Sequence, residues 1–144
     1  SSSFSLLYRS TRGFSPCRAT GSRYNNEKEE LSSIKELIAT YQASTYKSLG
    51  IVCKTESQAR EMADKVQIPD IHFLSNQSTA FVQGIVITSA HIAKGLEFDE
   101  VIIPQVDDKN YHSEIDRSML YVAVTRAMHR LTLTYSRNKT PLFD

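Results

Sequence analysis

The stretch "GIVITSAHIAKGLEFDEVIIP", Gly84–Pro104, decides the fold. Two nearly continuous β-branched runs, Gly84–Thr88 and Glu100–Ile103, flank a polar knot of His91, Lys94, Gly95 and Glu97. Runs that are apolar at successive positions are strands buried on both faces, the pattern of a parallel sheet. Cores exclude cations and carboxylates unless something pairs with them. The knot is therefore either a tight surface turn or a group facing a charged ligand.

Working outward, Phe4–Tyr8 is a short apolar run, read as a first strand. Residues 11–26 lack periodicity and carry Gly13, Pro16 and Gly21, so a loop is expected there. Glu27–Tyr41 reads as a helix, with Leu31, Ile34, Leu37, Ile38 and Tyr41 on one stripe. Leu49–Cys53 is a strand. Thr55 and Gln58 fit a capping box opening the next helix, which carries Ala59, Met62, Ala63 and Val66 on one face. Ile71–Leu74 is a short strand. Ser113 and Asp116 repeat the capping pattern and open a helix expected to run to about Met128. Leu131–Tyr135 alternates strictly and reads as a last, half-exposed strand. Strands alternating with helices imply an α/β layered domain with a mostly parallel sheet.

With 144 residues, the chain suits a single domain, 1–144. There is no run of eighteen apolar residues, so no membrane partner is expected. Cys17 and Cys53 lack metal-ligand spacing and the histidines are scattered, so no metal site is expected. Two lone cysteines suit a reducing compartment, and a cytoplasmic location is expected. The net charge is +1. Yet residues 1–26 hold four arginines and no acid, and 126–141 again hold four cations and no acid. Either these are solvated basic tails, or both ends meet an anion.

Sheets of this kind bind ligands at the carboxyl ends of their strands. The knot follows one strand, Arg9 follows another, and Lys54 and Thr55 a third, so all are expected on one edge. In the helix "SEIDRSMLYVAVTRAMH", Ile115, Met119, Val122 and Arg126 fall on one stripe. A charged arginine ending a buried face needs an anion or water. The alternative is an exposed helix-end arginine beside the carbonyl end of the dipole.

"AHIAKGLEFDEVII" resembles motif V of superfamily 1 helicases of the UvrD/Rep/PcrA type, and "LYVAVTRAMHRLTLTY" resembles their motif VI. "YRST", Tyr8–Thr11, resembles motif IV, and "IVCKTESQAR", Ile51–Arg60, the short strand-helix motif between IV and V. The blocks come in family order and cover most of the chain. "VCKTESQAR" and "TRAMH" are similar to the HelD branch, whose members associate with RNA polymerase. No GxxxxGK[ST] occurs, and no acidic Walker B strand can be placed. The chain thus resembles the second RecA-like motor domain alone. The insertion subdomain that repair helicases carry between motifs IV and V is missing, and so is the helix that usually follows "YRST".

The resemblance implies an ATP-dependent DNA helicase or translocase, with this chain inactive in isolation. ATP would bind with Mg2+ between this domain and a first RecA-like domain holding the metal ligands. Tyr8 would stack on adenine. Arg9 and Arg126 would reach the γ-phosphate as catalytic cations. Gly95 would admit the nucleotide and Glu97 would accept from the ribose hydroxyl. Lys94 would touch the nucleotide or pair with Glu97. Lys54, Thr55, Ser89 and His91 would contact single-stranded DNA. The knot would thus face ATP on one side and nucleic acid on the other. The HelD likeness implies RNA polymerase as a further partner and a remodelling role with little unwinding. A free-standing nucleic-acid-binding module would leave the two arginines unused.

Overall fold

The computed structural model describes residues 3–8, 17–75, 83–136 and 140–143. Among these residues, seven strands form one sheet: β1 (Ser3–Tyr8), β2 (Cys17–Arg23), β3 (Ser48–Cys53), β4 (Ile71–Phe73), β5 (Gly84–Ser89), β6 (Phe98–Ile103) and β7 (Ala127–Tyr135). Their order across the sheet is β1-β2-β7-β6-β3-β5-β4. All neighbours are parallel except β1, which runs antiparallel to β2. The helices are α1 (Glu27–Gln42), α2 (Glu56–Val66), α3 (Ala90–Ala93) and α4 (Glu114–Val124), with a 3-10 turn at Pro141–Phe143.

The β-branched runs do what their pattern implies, because alternate side chains enter two separate cores. Val52, Val86, Val101, Ile103, Leu131 and Leu133 share one face with Leu120, Ala123 and Val124 of α4. Leu49, Ile51, Ile85, Ile87 and Ile102 share the other with Ile34 and Ile38 of α1 and Met62 and Val66 of α2. The apolar residues of the central strands therefore remove area from water, whichever way they point.

Several expectations are corrected. The loop expected over 11–26 contains β2 at Cys17–Arg23, while residues 9–16 lie outside the described residues. The inward positions of β2 are Ala19 and Gly21, too small to give an apolar signal. Gly21 is small for a reason: a Cβ there would stand 2.2 Å from the Phe4 ring. Pairing to β1 and β7 on its two sides makes it a strand. The helix expected to reach Met128 ends at Val124, and β7 begins at Ala127. Nor is β7 a half-exposed edge. It lies between β2 and β6, with Leu131 through Tyr135 all buried. Thr134, on the polar side of that alternation, donates from Oγ1 to Glu30 Oε2 at 2.7 Å, beneath α1. Glu30 also accepts from the Gln105 amide at 2.8 Å. Burial raises its pKa, against these two hydrogen bonds.

The Ser113 capping box forms in full. At Thr55 only half forms. Thr55 Oγ1 accepts from the Gln58 amide, but the Gln58 side chain donates instead to Asn110 Oδ1 at 2.9 Å.

Candidate functional site at two edges of the sheet

The parallel strands define an amino edge and a carboxyl edge, and the expected site residues divide between them. Because β1 runs antiparallel, its carboxyl end meets the start of β2, with Tyr8 opposite Cys17. Tyr8 therefore sits at the amino edge, while Lys54 and Thr55 follow β3 at the carboxyl edge. Arg9 itself lies outside the described residues.

The segment Ala90–Glu97 explains the knot. It leaves β5 at the carboxyl edge, crosses one face of the sheet as α3, and enters β6 at the amino edge. Ser89 and His91 thus lie at one edge, and Gly95 and Glu97 at the other.

At the amino edge, the Tyr8 hydroxyl donates to the Ala127 carbonyl at 3.0 Å. Arg126, in the turn between α4 and β7, is buried at 9% exposure. Its Nε donates to the Val122 carbonyl at 3.1 Å, its Nη1 to the Leu96 carbonyl at 3.2 Å, and its Nη2 to Thr125 Oγ1 at 3.3 Å. The main chain closes the same junction, since the Phe98 amide donates to the Arg126 carbonyl at 2.9 Å. The turn that carries Gly95 is therefore fastened to Arg126 from both sides. Gly95 adopts φ +92°, a left-handed conformation that favours glycine, and a Cβ there would meet nothing within 4 Å. Lys94 is exposed and Glu97 half-buried.

The apolar stripe expected on α4 is corrected. Ile115 is 75% exposed, and the buried positions are Asp116, Leu120, Ala123 and Val124. Arg126 does not end a buried apolar face. It lies past the helix terminus, against the last carbonyls, where a cation complements the dipole.

At the carboxyl edge, β3 and β5 are neighbours in register, with Cys53 opposite Ser89. The helices that follow them, α2 and α3, pack on opposite faces. The crevice between two such helix starts is where open α/β sheets bind ligands. It contains Lys54, Thr55, Ser89 and His91. Thr55 and Ser89 have parallel duties, each capping the helix it precedes. His91 is exposed on α3. Cys53, just below, is a buried thiol whose pKa burial pushes up to about 12, so it is inert.

Lys54 is already engaged. Its Nζ lies 2.9 Å from Asp116 Oδ1 and 5.8 Å from the Tyr111 ring centroid. Burial alone would raise the Asp116 pKa. The Lys54 ammonium and the amides of His112 and Ser113 outweigh it and hold the carboxyl well below its ordinary range. The sequence offered no signal for this pair, since Asp116 reads there only as a capping residue. Among the described residues, no cluster of three or more His, Cys, Asp or Glu could hold a metal ion. No helix among them is long and apolar enough to cross a membrane.

A mostly parallel sheet with helices on both faces defines a RecA-like α/β domain. The chain belongs to the UvrD-like helicase C-terminal domain family, whose pattern matches residues 19–138. It is 33% identical over 73 residues to DNA helicase II of Escherichia coli K12, covering 44% of this chain and 10% of that protein. It is 34% identical over 73 residues to the ATP-dependent DNA helicase UvrD2 of Mycobacterium tuberculosis H37Rv, covering 42% of this chain and 10% of that protein. The chain thus spans about 10% of the length of these curated relatives.

Among solved structures, it is similar to the C-terminal domain of a possible DNA helicase from Lactobacillus plantarum WCFS1. The TM-score is 0.74 at 22% identity, over 85% of this chain and 76% of that one. The UvsW helicase of bacteriophage T4 aligns with a TM-score of 0.55 at 10% identity, over 78% and 45%. These two likenesses concern the fold.

Proposed function

We propose that the chain is the second motor domain of an ATP-dependent DNA helicase or translocase. Its amino edge would complete the ATP site of a first motor domain, and its carboxyl edge would grip single-stranded DNA. The observation that carries this reading is the clasp of Arg126 onto Leu96. It brings the arginine beside Gly95 and Glu97, and the Tyr8 hydroxyl bonds the residue that follows it.

A guanidinium has five N–H donors. The bonds described for Arg126 use one each on Nε, Nη1 and Nη2. One N–H on each terminal nitrogen remains for a phosphate oxygen. Buried in a rigid turn, the guanidinium is pre-organised, so little side-chain entropy is lost when a phosphate arrives. Arg9 follows Tyr8 directly and would supply the second cation. Glu97 would accept from a ribose hydroxyl and Gly95 would admit the nucleotide, with Lys94 at the rim. Mg2+ bound with ATP neutralises phosphate charge, and its ligands are assigned to the first motor domain. Tyr8, only 8% exposed here, would offer adenine a ring edge or a small part of its face.

At the other edge, DNA phosphates would meet Thr55, Ser89 and His91, and would compete with Asp116 for Lys54. The crossover Ala90–Glu97 joins the two edges directly.

One departure favours a second reading. Residues 74–83 alone join β4 to β5, so the insertion subdomain of the repair helicases has no counterpart there. That suits a HelD-like factor that remodels RNA polymerase with little unwinding.

The test is ATP turnover by the complete protein carrying Arg126→Ala, Arg9→Ala or both. Turnover should fall by ~10³–10⁵ for either arginine. The double variant should fall little further, because both cations serve one transition state. Undiminished turnover by a folded Arg126→Ala protein would overturn the assignment.

A further inference from the structure

A cavity of about 420 Å³ opens at the amino edge of β3, β5 and β4, separated from Arg126 by strand β6. Neither the ATP reading nor the DNA reading uses it. Tyr46 and His72 bring rings to it beside the almost fully buried Tyr41, and Gln42 and Asp70 give it hydrogen-bonding groups. Gly84 adds bare backbone at φ +92°, where a Cβ would meet nothing within 4 Å.

Cations gather beside it. Tyr46 is stacked on His129, with ring centroids 5.6 Å apart and planes 4° from parallel. The Arg130 guanidinium stands 4.9 Å from the Tyr46 ring centroid. Lys47 follows Tyr46 directly and is exposed. Two acids stand nearby: Glu100 Oε1 lies 3.5 Å from Arg130 Nη1, and Asp99 is occupied, with Oδ2 accepting from the Lys47 amide at 2.8 Å and Oδ1 3.8 Å from His129 Nε2.

The exposed His72 ring suits stacking on a flat base, and the Tyr46 ring, already against His129 and Arg130, offers an edge. A carboxamide and a carboxylate suit the amino and ring nitrogens of a base edge. Flanking cations suit a phosphate joined to that ring. We propose that this cavity binds one nucleotide unit, with the base among Tyr46, His72 and Gln42 and the phosphate on Lys47 and Arg130. Asp70 accepts from an exocyclic amine, which favours adenine, cytosine or guanine over thymine. The unit comes either from a single strand or from a free nucleotide, and the recognising chemistry is the same.

The 144-residue chain, isotope-labelled, is titrated with adenosine monophosphate and separately with a deoxyadenosine hexamer while backbone amide resonances are followed. The expected result is saturable shifts at Tyr46, His72, Gly84 and Ile85. His72→Ala and Lys47→Glu both alter exposed side chains, and each should weaken binding by about tenfold. A hexamer that binds more tightly than the mononucleotide identifies a strand as the source, and equal affinities identify a free nucleotide. Three results would overturn the proposal. One is no shift at these residues at ligand concentrations up to ~10 mM. The second is shifts confined to Gly95 and Glu97, or to Thr55, Ser89 and His91, which would leave the motor-domain reading standing and this one fallen. The third is an affinity that neither substitution changes in folded protein.

Discussion

Arg126 and Leu96 are thirty residues apart in sequence, and the guanidinium Nη1 of one donates to the main-chain carbonyl of the other at 3.2 Å. That bond ties the turn before β6 to the turn before β7. It makes Arg126 a structural residue as well as the proposed phosphate ligand. In the isolated chain, Arg126→Ala should therefore cost about 1–2 kcal/mol, because the part-buried carbonyls of Leu96 and Val122 lose a charged donor. Arg126→Lys should recover part of this, since an ammonium can reach one carbonyl but cannot fork. Urea unfolding of the three proteins checks it. Identical midpoints would mean that the clasp contributes nothing to the fold.

Asp116 should govern part of the acid stability. A carboxylate held below its unfolded value contributes stability that is complete above about pH 4 and drains away as pH falls toward the folded value. Asp116→Asn removes the Lys54 pair and weakens the capping box of α4. It should cost about 1–2 kcal/mol at neutral pH, and the gap to the parent should narrow steadily below about pH 4. Melting curves from pH 7 to pH 2.5 test this. A gap independent of pH would mean that the carboxylate charge is irrelevant to the pair.

Much of the architecture was legible because runs such as Ile85–Ile87 and Val101–Ile103 are apolar at successive positions. Gly84–Ser89 and Phe98–Ile103 need no partner to be recognised, since both of their faces are covered. β2 was not legible. Its inward residues are Ala19 and Gly21, and its pairing with β7 is a long-range fact that no local window contains. The helix-to-strand boundary at Arg126 was hidden because "AMHRL" continues a helical apolar rhythm. The fastening of Arg126 to Leu96 and Phe98 ends that rhythm. For the candidate site, the sequence did not show how the expected residues divide between edges. That division depends on β1 being antiparallel and on the crossover Ala90–Glu97 passing from one edge to the other, which no residue announces. The partners Asp116 and Leu96 were invisible for a similar reason: one reads as a cap, and the other acts through its main chain.

Gly50 is fixed by contact rather than by backbone conformation. A Cβ added to it would stand 2.6 Å from the Phe98 ring, which is only 3% exposed and has little room to move. Gly50→Ala should destabilise the chain by about 1–3 kcal/mol through overpacking. Pairing it with Phe98→Leu should return part of the loss. If the double variant is no more stable than the sum of the two single changes implies, the contact is not the reason for the glycine.

Glu100 offers a test with the opposite pH dependence. It lies in β6 with no exposed surface, and neither carboxylate oxygen has a hydrogen bond among the described residues. Arg130 approaches Oε1 only to 3.5 Å and is itself 38% exposed. Burial raises the Glu100 pKa, and the Arg130 charge opposes that shift only in part. A carboxyl whose folded pKa lies above its unfolded value contributes stability that is complete below the unfolded pKa. That contribution is lost as pH rises through the folded value. Glu100→Met keeps the length of the side chain and removes the buried charge, while Arg130 keeps its water and its place on Tyr46. The variant should be more stable than the parent by about 1 kcal/mol at pH 8. Its advantage should shrink as pH falls toward about 4, where the parent carboxyl is protonated in both states. Denaturant unfolding of both proteins at pH 8, 6 and 4.5 decides the matter. A Glu100→Met chain that is less stable at pH 8 and gains on the parent as pH falls would mean that the Arg130 pair outweighs burial.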